Sequence, residues 1–183
     1  MLFRSGIFTG LRKGELAGLK FSDFDLENKT LTINRNAVVN NRLKAVELRD
    51  PKEMSFGTLH ITNEVIEVVK ALAMWHQVNG TYDNEFLFQM KQGGLIYPDY
   101  WSRMFKRVQI QAGIPEEEVL PSTHYMRHTH LSLLAYRGYS MAEIQRRARH
   151  SDPRTTAKYY VHILDEKDLE MADSFSELIK IEE

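Results

Sequence analysis

The chain has 183 residues, 43% hydrophobic and 27% charged, a length that supports one well-buried core and is short for two. No apolar run approaches the roughly 18 residues a membrane span needs, and the opening MLFRSGIFTGLRKGEL lacks a hydrophobic signal region. A single globular, cytoplasmic domain at 1–183 with no membrane partner is therefore expected. The absence of cysteine excludes disulfides and thiolate metal sites.

The predicted elements begin with a helix over residues 1 to 19, interrupted near Thr9 and Gly10, and a turn at FSDFDLEN. The period then changes. TLTINRNAVV (30–39), NRLKAVEL (41–48) and GTLHIT (57–62) are β-branched and partly alternating, which predicts a small antiparallel sheet. After Thr62 or Asn63 as cap, Val65, Val68, Val69, Leu72 and Trp75 recur at helical spacing into Val78, and Gly80 ends the run. FLF (86–88) reads as a brief strand, QGG as a turn, and Pro98 to Ala112 as a helix closed by Gly113. Ser122 or Thr123 caps a helix through Tyr136, Ser140 caps Met141 to Arg149, and Pro153 opens a helix through His162. The segment Asp165 to Ile179 is amphipathic. The fold class is thus α+β, mainly helical, with one small antiparallel sheet near the N-terminus.

The net charge of −1 averages unlike segments. Residues 164–183 hold eight acids against Lys167 and Lys180, a net of −6, so the remainder carries +5. Residues 120–163 alone hold seven Arg or Lys against two acids, and five of the seven histidines. A basic, His-rich body suits a polyanion, because Lys and Arg near phosphates release condensed counterions. On charge alone, a solvated helix face explains the pattern equally well.

Three motifs decide between these. Thr9-Gly10-Leu11-Arg12-Lys13-Gly14-Glu15-Leu16, then His124-Tyr125-Met126-Arg127-His128-Thr129, then His150-Ser151-Asp152 with Thr155-Thr156 and Tyr159-Tyr160-Val161-His162 follow one another along the chain. In order and spacing they resemble the three boxes of tyrosine recombinases, which include phage and transposon integrases and the Xer enzymes. The resemblance spans residues 6 to 162.

That resemblance implies a mainly helical catalytic domain that cleaves and rejoins DNA through a 3′-phosphotyrosine, without metal or other cofactor. Arg12 and Arg127 would bind the scissile phosphate, a task suited to a planar, always charged guanidinium. His124 lies one helical turn before Arg127 and would contact phosphate and exchange a proton. His150 would donate a hydrogen bond to the phosphate; the residue before it is Gly in most members and Arg149 here. The family spacing admits both Tyr159 and Tyr160 as nucleophile. His162, two residues after Tyr160, favours Tyr160 and leaves Tyr159 as the alternative.

Lys52, in Asp50-Pro51-Lys52-Glu53, resembles the family's general acid, and a lysine carries its proton at neutral pH. Glu15 is expected to hold an active-site group by a hydrogen bond. Arg147, Arg149, Arg154 and Lys158 are expected to face DNA. The implied partners are duplex attachment sites, three further copies in a homotetramer, and accessory DNA-bending proteins. Residues 165–183 form an acidic C-terminal segment suited to packing on a neighbouring protomer. The family's N-terminal core-binding and arm-binding domains are expected to be missing from this chain. Two other readings share these residues: a type IB topoisomerase, and a DNA-binding relic of the same fold without catalysis.

Overall fold

By Thr30 the chain has passed from helix into strand, as its change of period predicts. The computed structural model describes residues 2–50, 56–81, 85–90 and 94–160, which fall into two units, 1–130 and 131–183. In the first unit α1 (Leu2–Thr9) and α2 (Lys13–Ala17) are separated at Gly10, which adopts φ +65°. This is the left-handed conformation that glycine takes without a Cβ penalty. A 3₁₀ turn (Phe21–Asp23) leads into β1 (Phe24–Asp25), which pairs antiparallel with β2 (Thr30–Ile33). β2 pairs in turn with β5 (Gly57–His60), with Leu31 opposite Leu59.

A separate hairpin joins β3 (Asn36–Asn40) to β4 (Ala45–Arg49), with Val39 opposite Val46. The single sheet expected from the sequence is therefore two, and the run 30–39 is two strands. The break falls at Asn34 and Arg35, where the Arg35 guanidinium turns back to the buried Asp23 carboxylate and the Gly18 carbonyl. The expected strand at 86–88 is reduced to isolated bridges, Lys20 to Phe86 and Gln89 to Leu95.

α3 (Asn63–Val78) and α4 (Pro98–Gln111) complete most of the first unit. Its core gathers Leu11, Leu16, Leu31, Ile33, Val65 and Trp101, and the Phe88 ring meets Trp101 edge-on at 4.8 Å. Each fully buried side chain of this size contributes on the order of 2 kcal/mol. α2 packs on β3 so closely that a Cβ at Gly14 would lie 2.6 Å from the Ala37 carbonyl oxygen. Backbone cannot yield as a flexible side chain can. Gly14→Ala is expected to lower stability by about 1–3 kcal/mol, and a denaturant titration checks it.

α5 (His124–Tyr136) begins in the first unit and ends in the second. In the second unit, α6 (Met141–Ala148) starts with a reciprocal cap: Ser140 Oγ accepts from the Glu143 N–H, and the Glu143 carboxylate accepts from the Ser140 N–H at 2.8 Å. α7 (Pro153–Ala157) starts with proline at its first turn and the Asp152 carboxylate on the Arg154 N–H, and it ends earlier than the His162 expected. Leu131, Ala135, Ile144, Ala148 and Tyr159 make this unit's core. Among the described residues, no helix is long and apolar enough to cross a membrane. His162, the amphipathic run 165–179 and the acidic segment 165–183 lie outside the described residues.

Candidate active site

Arg12 is placed by the end of one helix and the start of the next. Thr9 closes α1 by donating its hydroxyl to the Ser5 carbonyl at 2.6 Å, Gly10 turns the chain, and Arg12 sits in extended conformation before α2. Glu15, three residues on and fully buried, accepts from the Arg12 backbone N–H at 2.9 Å with one carboxylate oxygen. The other oxygen accepts from the Arg12 guanidinium at 2.8 Å. One carboxylate thus caps α2 and aims the arginine beside it.

At the start of α5, Ser122 Oγ accepts from the His124 N–H at 3.2 Å. Arg127, one turn later, is 1% exposed, and its guanidinium donates to the Gly10 carbonyl at 2.6 Å. The second motif therefore grips the bend of the first across 117 residues. Arg12 and His124 line an open cavity of about 620 Å³ together with Lys13, Asn36, Asp99 and Ser122, whereas Arg127 is not part of that lining.

His124 opens to solvent, yet the atoms around its ring withdraw enough water to hold its pKa below the ordinary value. Charges on Arg127, Arg12, His128 and Lys13 push the same way. The unfolded chain therefore takes up this proton before the folded one does. His124 costs no stability above pH 6.5 and progressively destabilises the fold as pH falls from there toward its folded value. Following the imidazole resonances by NMR should give a midpoint below 6.5, moving up when a phosphate anion enters the cavity.

In the second unit His150 is buried, with Nδ1 2.9 Å from Thr156 Oγ1, and its backbone is held at both ends by Gln145. Arg149 before it takes φ +54°, the left-handed conformation that glycine adopts readily, so the turn into His150 keeps a glycine-like shape despite the substitution. Tyr159 is buried and stacks on His150 with ring centroids 6.2 Å apart. Tyr160 is half-buried and donates its hydroxyl to the Tyr139 carbonyl. Burial, and then the Glu143 charge, raise its pKa, so the phenol is protonated at neutral pH.

Of the residues expected to face DNA, Arg154 and Lys158 are exposed and Arg147 is half-buried. Arg149 is 6% exposed and donates to the Arg147 carbonyl. Lys52 lies outside the described residues. Sequence reasoning missed Thr156 as the partner of His150, although its place six residues later in the same motif was a signal. It also missed Asn36 and Asp99, whose place on the cavity no local pattern marks.

The family model described as the phage integrase family matches residues 4–167. An integrase of Staphylococcus phage L54a is 32% identical over 93% of this chain and 49% of its own length. A XerC-like tyrosine recombinase of Caldanaerobacter subterraneus subsp. tengcongensis is 25% identical over 97% of this chain and 49% of its own. The structure of the Tn1549 transposon integrase in complex with circular intermediate DNA superposes with a TM-score of 0.75 at 25% identity, over 93% of this chain and 58% of that one. This chain spans about half the length of the curated relatives it matches. With three ordered motifs, a mainly helical fold carrying small antiparallel sheets, and a family match over nearly all its residues, the chain belongs to the phage integrase family.

Proposed function

We propose that this chain is the catalytic domain of a site-specific DNA recombinase that cleaves and rejoins duplex DNA for integration or excision of a mobile element. The observation that carries it is the open cavity with Arg12 and His124 on its wall, the arginine aimed by a buried carboxylate and the imidazole held neutral by its surroundings. Cations fixed in advance are what a phosphodiester needs as charge builds on its non-bridging oxygens.

In this reading Arg12, Arg127 and His150 bind the scissile phosphate. The oxygen of Tyr160 attacks phosphorus, the bond to the 5′ oxygen breaks, and a 3′-phosphotyrosine forms. Neutral His124 takes the phenol's proton, and Lys52 supplies one to the departing 5′ oxygen. The phosphotyrosine stores the bond energy, so a 5′-hydroxyl from the partner strand reverses the step without further input. Thr156 positions the His150 ring, and Glu15 positions Arg12. Arg147, Arg154 and Lys158 meet DNA phosphates. The relatives named above are integrases and recombinases, and the Tn1549 complex contains DNA, which favours strand exchange over the topoisomerase reading. Four protomers on two duplex sites, with DNA-bending accessory proteins, in the cytoplasm, complete the assembly we propose.

The test is covalent trapping. The chain, and in parallel any longer protein that contains it, is incubated with a nicked suicide duplex carrying the attachment site. A denaturant-resistant protein–DNA adduct is expected, and its absence from both forms would leave a DNA-binding relic.

A further inference from the structure

One ion pair on the cavity wall has no part in the chemistry above. Lys13 follows Arg12 directly, and its ammonium lies 2.6 Å from Asp99 at the first turn of α4. Both residues line the cavity beside Arg12 and His124, and among the described residues Asp99 is the only carboxylate in the lining. Their side chains are 46% and 70% exposed. An ion pair so open to water contributes little to stability, so it yields readily to a competing partner.

Lys13 is nevertheless near enough to the site for its charge to act on His124. Asp99 stands in the first turn of α4, where the exposed N–H groups favour a carboxylate whether or not Lys13 engages it. The pair therefore combines an exposed cation, an exposed anion, and a cavity in which a phosphate can take the carboxylate's place on Lys13.

We propose that Lys13 is a contact for the DNA backbone phosphate adjoining the one held by Arg12, and that Asp99 occupies it in the free protein and is displaced when duplex binds. The proposal rests on the DNA-cleaving reading of the same cavity and adds to it a phosphate ligand and a built-in competitor. Asp99 then sets how tightly duplex is held, since its charge both engages Lys13 and repels the incoming strand.

The test is a salt titration of duplex affinity, by fluorescence anisotropy with a short mixed-sequence duplex, on the full chain and its Lys13→Ala, Asp99→Asn and doubly substituted forms. Melting curves confirm that each is folded. Lys13→Ala is expected to reduce the slope of log affinity against log salt by about 0.9, the loss of one phosphate contact. Asp99→Asn should tighten binding about threefold where Lys13 is present and much less where it is alanine. An unchanged slope in Lys13→Ala, or equal tightening by Asp99→Asn in both backgrounds, overturns the proposal. The wild-type adduct assay keeps the two ideas apart: affinity changes as expected without adduct uphold the Lys13 contact and sink the recombinase reading, and adduct with an unchanged slope does the reverse.

Discussion

Replacing Tyr160 by phenylalanine is expected to abolish the covalent adduct, a loss of roughly 10³-fold or more, with little change in folding. Replacing Tyr159 in the same way is expected to leave it. The difference comes from where the two rings lie. Tyr159 is 7% exposed, sits in the core of its unit and stacks on His150, so its ring does packing work that phenylalanine reproduces. Tyr160 keeps its hydroxyl near the surface, hydrogen-bonded to the backbone carbonyl of Tyr139. Among the described residues, that bond is the one an incoming phosphate has to displace. Quantifying adduct after denaturing electrophoresis measures both variants, and loss of adduct in Tyr159→Phe alone would move the nucleophile by one residue.

Arg12→Lys is expected to slow adduct formation by about 10²- to 10³-fold while the melting temperature stays close to wild type. The lysine keeps a positive charge beside the buried Glu15 carboxylate, so the fold is spared an unpaired buried anion. It does not keep the planar fork that engages a carboxylate and a phosphate at once. Single-turnover cleavage rates and thermal melts on the same preparation separate the two effects. A variant that melts far below wild type would point to Arg12 as a structural ion pair. A variant that melts normally and cleaves normally would remove it from the chemistry.

Local signals were readable wherever the physics was local. Pro98 and Pro153 sit in first turns, Ser140 and Glu143 cap each other three residues apart, and Gly10 breaks the first helix where its freedom at positive φ is needed. What escaped depended on distant partners. The break at Asn34 and Arg35 follows from an arginine reaching a carboxylate twelve residues earlier. The Lys13 to Asp99 contact spans 86 residues and the Arg127 to Gly10 contact 117, and no periodicity foretells either. Arg149 shows a subtler limit: its type argued against a glycine turn, yet the backbone adopts φ +54° with the side chain buried. The candidate residues were named from three motifs whose order and spacing resemble a family's, and the fold places two of them, Arg12 and His124, on one cavity wall. Their supports, such as Thr156 behind His150, became visible only once the chain was folded.

The most direct test of the central claim is to digest the trapped adduct and identify, by mass spectrometry, which residue carries the nucleotide and through which end. A peptide bearing a 3′-phosphonucleotide on Tyr160, with a free 5′-hydroxyl on the released strand, is the result this account predicts. A nucleotide on any other residue, or a 5′-linked phosphate, would contradict it.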